Sequence, residues 1–163
     1  MDINIRHAKD YDIEHILSFS KKLCDYSRAN HDIKCKYDDY ELVTKAIVEK
    51  VRTAFQNRDE NTLYLVAESD QIPLGYVFAK IYEETQTADN GTGRVGLLDE
   101  LFVDEKARSM GLGQKMIDET IKWFQANNIC RVKLHAYSWN QSAKTIYEKN
   151  GFTEYAVSYE KFI

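Results

Sequence analysis

A glycine-rich turn between an apolar strand and an amphipathic helix is the feature that most constrains the fold of this chain. Residues 95–103 form an apolar run typical of a buried central strand, and Gly111 and Gly113 lie shortly after it. Apolar residues at helical spacing accompany the glycines: Leu112, Met116, Ile117, Ile121 and Phe124. A short strand, about Arg131 to His135, comes next. This succession predicts a crossover unit within an α/β fold.

The amino-terminal half predicts a strand, two helices and a hairpin. Alternation over residues 3–5 indicates a strand, and Asp10 is a candidate cap for the first helix. Asp38 followed by Glu41 resembles a capping box, which predicts the start of a second helix. Two runs of β-branched and aromatic residues around the Asp70-Gln71 turn are expected to pair as a hairpin: residues 62–68 and 74–82.

The carboxyl-terminal part predicts one helix and two short strands. Asn140 is a good cap for this helix, and Gly151 fits the left-handed position after its end. The strands are expected to run through Tyr155 and Tyr159. With no linker or internal repeat in view, residues 1–163 are expected to form one domain.

The charge pattern argues against two classes of partner. The formal net charge is −4 and no tract is rich in Lys or Arg, so neither a nucleic-acid backbone nor an anionic membrane is favoured. No apolar run approaches the roughly 20 residues of a transmembrane helix, and the first residues lack a secretory signal. The chain is therefore expected to be cytoplasmic, with a cationic small molecule as the better-suited partner.

The cysteines argue against a disulfide framework and a zinc site. Cys24, Cys35 and Cys130 are odd in number and have neither a C-x-x-C pair nor a partnering His spacing. Reduced, mostly buried thiols and no metal are expected.

The segment from Arg108 to Gly113 predicts a site for a phosphorylated cofactor. A helix start leaves about four backbone N–H groups without intrahelical partners, and glycines let a diphosphate approach them closely. The segment lacks the Gly-Lys-Ser/Thr ending of a P-loop, and Met116 stands where the dinucleotide fingerprint G-x-G-x-x-G needs its last glycine. Taken alone, the two glycines are also compatible with a tight strand-to-helix turn that binds nothing.

Two motifs in order resemble the GNAT superfamily of N-acetyltransferases. Arg108 to Gly113 is similar to its acetyl-CoA signature, Arg/Gln-x-x-Gly-x-Gly/Ala, and follows a segment like its fourth strand, LLDELFV. Residues 135–152, HAYSWNQSAKTIYEKNGF, resemble its second cofactor motif. The resemblance implies a mixed, strongly twisted sheet of about six or seven strands flanked by about four helices, with the fourth and fifth strands splayed apart.

The resemblance also implies which residues hold acetyl-CoA, the expected cosubstrate. Backbone groups of the fourth strand would pair with the pantetheine arm, here Leu101, Phe102 and Val103. Backbone amides would hold the pyrophosphate, here those of Arg108, Ser109, Met110, Gly111, Leu112, Gly113 and Gln114. Asn140 would donate a hydrogen bond to the pantetheine in addition to capping its helix.

Acetyl transfer to an amine also needs a proton acceptor and a proton donor. An alkyl amine with a pKa near 10.4 is only about one part in 2,500 neutral at pH 7, so a carboxylate that takes its proton is useful. Glu100, narrowly preferred, or Asp99 could serve, and an ordered water or a purely structural role for the acids stays open. Tyr147 is the candidate acid toward the leaving thiolate, with a core position as its alternative.

The sequence thus predicts an acetyl-CoA-dependent N-acetyltransferase acting on a primary amine, of a small molecule or a peptide, by direct attack in a ternary complex. A CoA-binding module without catalysis and an N-acyltransferase that prefers a longer acyl group are the alternatives. A homodimer is left open by the tyrosine-rich carboxyl end, and the acceptor amine is not specified by any motif.

Overall fold

The computed structural model describes residues 2–31, 39–85, 93–161 and 163. Its strands are β1 (Asn4–His7), β2 (Thr62–Ser69), β3 (Ile72–Glu84), β4 (Gly93–Val103) and β5 (Val132–Leu134). Its α-helices are α1 (Ile13–Asn30), α2 (Tyr40–Gln56), α3 (Leu112–Ala126) and α4 (Gln141–Lys149). Short 3-10 turns at Asp10–Asp12 and Glu105–Ala107 precede α1 and α3. The α/β class expected from the sequence is confirmed.

The described strands form one mixed sheet in the order β1-β2-β3-β4-β5. The first four strands are antiparallel, whereas β5 lies parallel to β4, as a crossover through α3 requires. The hairpin turn at Asp70 and Gln71 has φ of 50° and 64°, the left-handed conformation of a two-residue turn that suits twisted strands.

The number of strands is smaller than the sequence pattern predicts. Among the residues that the structure describes, the sheet has five strands rather than six or seven, and residues 152–161 form no strand. Tyr155 and Tyr159, through which the two short strands are predicted to run, are both exposed. A strand needs both a partner edge and an apolar face to bury, and this segment buries no such face.

Both faces of the sheet are covered by apolar side chains. One core cluster joins the sheet to α3 through Leu63, Leu65, Val77, Met116 and Phe124. The other joins the opposite face to α1 and α2 through Ile16, Phe19, Phe55, Tyr64 and Tyr76. Burial on both faces explains why β2, β3 and β4 read as continuous apolar runs.

The edge between β4 and β5 is paired over only part of its length. Gly96, Leu97 and Leu98 lie opposite residues 132–134, whereas β4 continues to Val103. Gly96 is required here, because a Cβ at this position would lie 2.5 Å from Cε1 of Phe124. Beyond Leu98 the ladder ends because β5 ends at Leu134, so the last residues of β4 have no strand partner on this side.

The predicted cap of the first helix is wrong. Asp10 begins the 3-10 turn before α1, and the N-cap of α1 is Asp12, which makes no side-chain cap hydrogen bond to the helix. The Asp12 carboxylate instead accepts a hydrogen bond from the Lys9 amide at 2.7 Å, so it closes the turn rather than the start of α1.

Local signals predicted the other helix ends well, with one correction. Asn140 caps α4, and Gly151 after its end has a φ of 81°. The cap of α2 is Asp39, whose carboxylate accepts a hydrogen bond from the Leu42 amide at 3.1 Å. The predicted cap, Asp38, lies outside the described residues, and Asp39 takes this role because its side chain is three residues before a free helical N–H.

The thiols are less buried than expected. Cys24 is half-buried on α1, and Cys130 is exposed because its neighbour Ile129 occupies the core instead. Cys35 lies outside the described part of the chain. None of the helices that the structure describes is long and apolar enough to cross a bilayer.

Candidate active site

A cleft of about 590 Å³ opens beyond the point where the pairing of β4 with β5 ends. It is lined by the second half of β4, the turn before α3, the first turn of α3, the segment from β5 into α4, and the carboxyl-terminal part of α1. The cleft therefore gathers three stretches of the chain that are distant in sequence, within residues 23–27, 99–114 and 135–147.

The turn before α3 takes left-handed backbone conformations at Ser109 and Gly111, with φ of 64° and 72°. Gly111 is the N-cap of α3, and its carbonyl accepts a hydrogen bond from the Lys115 amide at 3.1 Å. The amides of the first helical turn, residues 112–114, consequently have no partner within the helix. These three residues line the cleft at the positive end of a 15-residue helix. Their free backbone N–H groups therefore suit a diphosphate.

Arg108 connects this turn to α1. Its Nε donates to the Val103 carbonyl at 3.2 Å, and its guanidinium lies 5.7 Å from the centroid of the Tyr26 ring. Nearby, Nζ of Lys22 pairs with Asp104 at 2.8 Å. These two contacts, Arg108 with Tyr26 and Lys22 with Asp104, hold α1 beside the turn, where α1 forms one wall of the cleft.

Two amide side chains of the predicted cofactor site have structural partners. Oδ1 of Asn140 accepts a hydrogen bond from the Ala143 amide at 3.2 Å, which leaves Nδ2 of Asn140 to donate to a ligand. The Gln114 side chain is instead engaged by Asn150 and, at 2.9 Å, by Asp118. Gln114 can therefore serve a ligand through its backbone N–H.

A β-bulge separates the two acids of β4. Phe78 of β3 lies opposite Glu100, whereas the next residue, Ala79, lies opposite Leu98. Asp99 is therefore the extra residue of the bulge and has no partner across the ladder. The bulge changes the direction in which each acid points, which a strict alternation along the strand does not anticipate.

The two acids consequently have different surroundings. Asp99 is exposed and pairs with Nζ of Lys80 at 2.7 Å. Glu100 lies deeper and accepts a hydrogen bond from the hydroxyl of the fully buried Tyr76. Burial raises the pKa of Glu100, and the hydrogen bond from Tyr76 only partly opposes this shift. Both acids line the cleft, and Glu100 is the less exposed of the two.

Tyr147 lines the same cleft from α4. Its ring packs against Phe152 with centroids 6.1 Å apart, and its carbonyl accepts a hydrogen bond from the Phe152 amide at 3.1 Å. Burial raises the pKa of the Tyr147 phenol, so the phenol keeps its proton at neutral pH.

The structure brings nearly all of the predicted site residues to this cleft. The exception is Met110, whose side chain is exposed and does not line it. Sequence reasoning missed the wall formed by α1, which contributes Leu23, Tyr26 and Ser27. Their spacing of three and four residues marks one helical face, but this pattern does not distinguish a cleft wall from a core face.

The family comparison agrees with this geometry. The model of the Acetyltransferase (GNAT) family matches residues 22–152 of the chain. This chain belongs to the GNAT acetyltransferase family.

Individual GNAT relatives are distant in sequence. The chain is 24% identical over 152 residues to the uncharacterized N-acetyltransferase YhfO of Bacillus subtilis, covering 93% of this chain and 91% of the relative. It is 29% identical over 99 residues to a mycothiol acetyltransferase of Geodermatophilus obscurus, covering 61% of this chain. The matched region spans only 31% of that longer relative.

A solved GNAT-like structure shares the fold along the whole chain. A predicted acetyltransferase of Clostridium acetobutylicum, crystallised with acetyl-CoA, superposes with a TM-score of 0.73 at 19% identity, covering 99% of this chain and 96% of that one. The family model identifies an acetyltransferase, in agreement with the acetyl-CoA cosubstrate predicted from the sequence. The left-handed turn and the unpartnered amides of this GNAT chain fit such a group.

Proposed function

We propose that this GNAT protein transfers an acetyl group from acetyl-CoA to a primary amine by direct attack in a ternary complex. The observation that carries the proposal is the presence of Glu100 and Tyr147 in the cleft that also contains the glycine turn. The cleft thus offers a proton acceptor, a proton donor and an anion site.

Glu100 is proposed to take the proton of the acceptor amine. Most of an alkyl amine is protonated at neutral pH, so the reactive form must be generated in the cleft. The raised pKa of Glu100, caused mainly by burial, makes its carboxylate a stronger base than an exposed one. Asp99 is less suited, because its carboxylate is exposed and paired with Lys80.

Tyr147 is proposed to protonate the leaving thiolate. When bound, acetyl-CoA supplies the acetyl thioester on which the amine acts. The phenol of Tyr147 is half-buried and protonated, and a phenol is a suitable acid toward a thiolate. Leu101, Phe102 and Val103 lie on the part of β4 beyond its pairing with β5, so their backbone groups can orient a linear arm.

The acceptor is proposed to be a cationic amine, of a small molecule or a peptide amino group. The two carboxylates of β4 lie in the cleft together with the aromatic rings of Tyr26 and Tyr137. Carboxylates and aromatic faces both favour a cation. A cytoplasmic location and a homodimer remain hypotheses, which cell fractionation and light scattering of the purified protein can test.

The test combines binding with turnover. Calorimetric titration with acetyl-CoA, CoA and ATP is expected to show binding of the two CoA species and not of ATP. Thiol release is then measured with polyamines, aminoglycosides, amino acids and peptides as acceptors. Binding without turnover on any amine would favour a non-catalytic CoA-binding module, and faster reaction with a longer thioester would favour another acyl group.

A pair of variants tests the base itself. Glu100→Gln is expected to lower kcat by about 10²- to 10³-fold, the range for a general base. Asp99→Asn is the matched control, since it makes the same change at the neighbouring residue and is expected to stay within about threefold. Equal losses in both variants would contradict the assignment of Glu100.

A further inference from the structure

The hydrogen bond between Tyr76 and Glu100 connects the buried core to the candidate base. Tyr76 lies on β3 with a relative exposure of 0%, and its hydroxyl donates to Oε2 of Glu100 on the adjacent strand β4. A buried hydroxyl without a partner is costly, and so is a buried carboxylate without a donor. Each group therefore satisfies the other.

The ring of Tyr76 is fixed on the same face of the sheet. It stacks on Phe19 of α1 with centroids 6.1 Å apart and an interplanar angle of 13°. Phe19 in turn stacks on Phe102, which lies opposite Tyr76 in the ladder. A ring held by both a helix and a strand presents its hydroxyl in one direction, because close packing leaves it little freedom.

We propose that Tyr76 is a positioning residue for acyl transfer, because its hydroxyl holds one oxygen of Glu100 and leaves the other oxygen to accept the proton of the acceptor amine. This inference rests on the role proposed above for Glu100. Tyr76 acts through the carboxylate of Glu100 and does not itself contact the reacting atoms.

The direction of its effect follows from the charge of Glu100. A hydroxyl that donates to a carboxylate stabilises the ionised form, so the contact opposes the effect of burial on the pKa of Glu100. Other ionisable groups interact electrostatically with Glu100 from five elements of the fold. They are Cys24 on α1, Lys50 on α2, Tyr64 on β2, Lys80 on β3 and Asp99 on β4. Replacing Tyr76 by Phe changes none of them.

The chain offers a matched control at Tyr64. This tyrosine lies on β2 with a relative exposure of 4%, and its ring stacks on Phe78, the residue opposite Glu100. Its hydroxyl has no hydrogen-bond partner among the described residues. Tyr64→Phe therefore removes the same atom from the same face of the sheet without removing a contact to Glu100.

The first readout is the pH profile of kcat/KM. In Tyr76→Phe the acid limb is expected to move to higher pH, lowering kcat/KM about 10-fold near pH 6 and by less than about twofold near pH 9. Tyr64→Phe is expected to keep the wild-type profile. An equal loss in Tyr76→Phe at every pH would overturn the proposal, because it would indicate a structural role only.

The second readout is independent of turnover. Proteins labelled with ¹³C in the glutamate side chain are titrated by NMR without cosubstrate, and Glu100→Gln assigns the Glu100 signal. The titration of Glu100 is expected to move to higher pH in Tyr76→Phe and to stay unchanged in Tyr64→Phe. An unchanged titration in Tyr76→Phe overturns the inference, whereas full turnover of Glu100→Gln overturns the proposed base.

A double variant covers the case in which Tyr76→Phe folds but is too unstable for reliable kinetics. Adding Glu100→Gln removes the buried charge, so loss of the tyrosine hydroxyl is expected to lower Tm less in that background than in the wild type. An equal decrease of Tm in both backgrounds would show that the hydroxyl acts independently of Glu100 and would overturn the proposal.

Discussion

The side-chain amides of Gln114 and Asn150 hydrogen-bond each other in both directions, with Nδ2 of Asn150 donating to Oε1 of Gln114 at 2.8 Å. Gln114 lies in the first turn of α3 and Asn150 at the carboxyl end of α4. The pair therefore joins the two helices that border the cleft. Next to this pair, α3 and α4 approach closely, because a Cβ added to Gly113 would lie 3.3 Å from Cδ1 of Ile146.

Loss of this amide pair is expected to weaken acetyl-CoA binding. Asn150→Ala removes the partner of the Gln114 amide and lets the start of α3 move relative to α4. The Kd for acetyl-CoA, measured by calorimetry, is expected to rise about 3- to 10-fold. Asp118→Ala is the control, because it removes only an exposed partner of Gln114 and is expected to change Kd by less than about twofold. Unchanged affinity in Asn150→Ala would show that the helices are held by other contacts.

Gly111 is expected to tolerate replacement poorly for a conformational reason. Its φ is 72°, and a Cβ built on it meets nothing within 4 Å, so the cost is backbone strain rather than collision. Gly111→Val is expected to raise the Kd for acetyl-CoA by at least about 10-fold, with Gly111→Asn milder because Asn tolerates the left-handed region.

Two glycine controls separate cofactor binding from stability. Gly113→Ala is expected to bind acetyl-CoA within about threefold of wild type, since the crowded atom is the end of the flexible Ile146 side chain and Ala favours a helix. Gly151→Val places the same strain at a φ of 81° outside the cleft, and it is expected to lower Tm while preserving affinity. Preserved affinity in Gly111→Val would mean that the pyrophosphate binds elsewhere.

Tyr147→Phe is expected to lower turnover by about 10- to 1,000-fold while acetyl-CoA affinity stays within about a factor of three. The phenol is proposed to act on the leaving thiolate, so its loss affects reaction rather than binding. Steady-state kinetics and calorimetry on the same preparation provide both numbers. The exposed Tyr155 offers a control in Tyr155→Phe, which is expected to retain wild-type kcat. Wild-type kcat in Tyr147→Phe would assign this tyrosine to packing alone.

The carboxylates around Arg6 are expected to make stability depend on pH. Arg6 donates to both Asp12, with a relative exposure of 1%, and Glu68. Burial raises the pKa of Asp12, but the hydrogen bonds from Arg6 and from the Lys9 amide outweigh burial, so the pKa is lowered overall. The hydrogen bond from Arg6 also lowers the pKa of Glu68. The folded state favours the charged carboxylates, and this stabilisation is present at neutral pH and lost as the pH falls through the lowered pKa values.

Urea denaturation at several pH values measures this effect. Asp12→Asn is expected to lower the free energy of unfolding by about 2 kcal/mol at pH 7, because Arg6 keeps only Glu68 as a charged partner and loses its hydrogen bonds to the buried carboxylate. Below about pH 5, the free energy of unfolding of Asp12→Asn is also expected to depend less steeply on pH than that of the wild type. Asp10→Asn is the control, since Asp10 is 92% exposed in its pair with Arg58 and its loss is expected to cost less than about 1 kcal/mol.

Local signals predicted much of the fold because they depend on neighbours in sequence. The caps at Asn140 and Gly111 and the turn at Asp70-Gln71 follow from backbone preferences of a few residues, and each is present in the structure. The two strands predicted through Tyr155 and Tyr159 are not formed within residues 152–161, because a strand depends on a partner edge. No pattern within residues 152–161 indicates whether such an edge is available.

The sequence by itself determined the order of elements as far as α4, the crossover around the glycine turn and the two motifs that place the chain in the GNAT family. These features rest on local geometry and on apolar periodicity, which a single chain displays directly. Only the tertiary structure decided that a bulge separates Asp99 from Glu100, that Tyr76 donates to Glu100 and that α1 forms a wall of the cleft. Such contacts join residues more than 20 positions apart, and they arise from the packing of helices on the sheet rather than from the preferences of any segment.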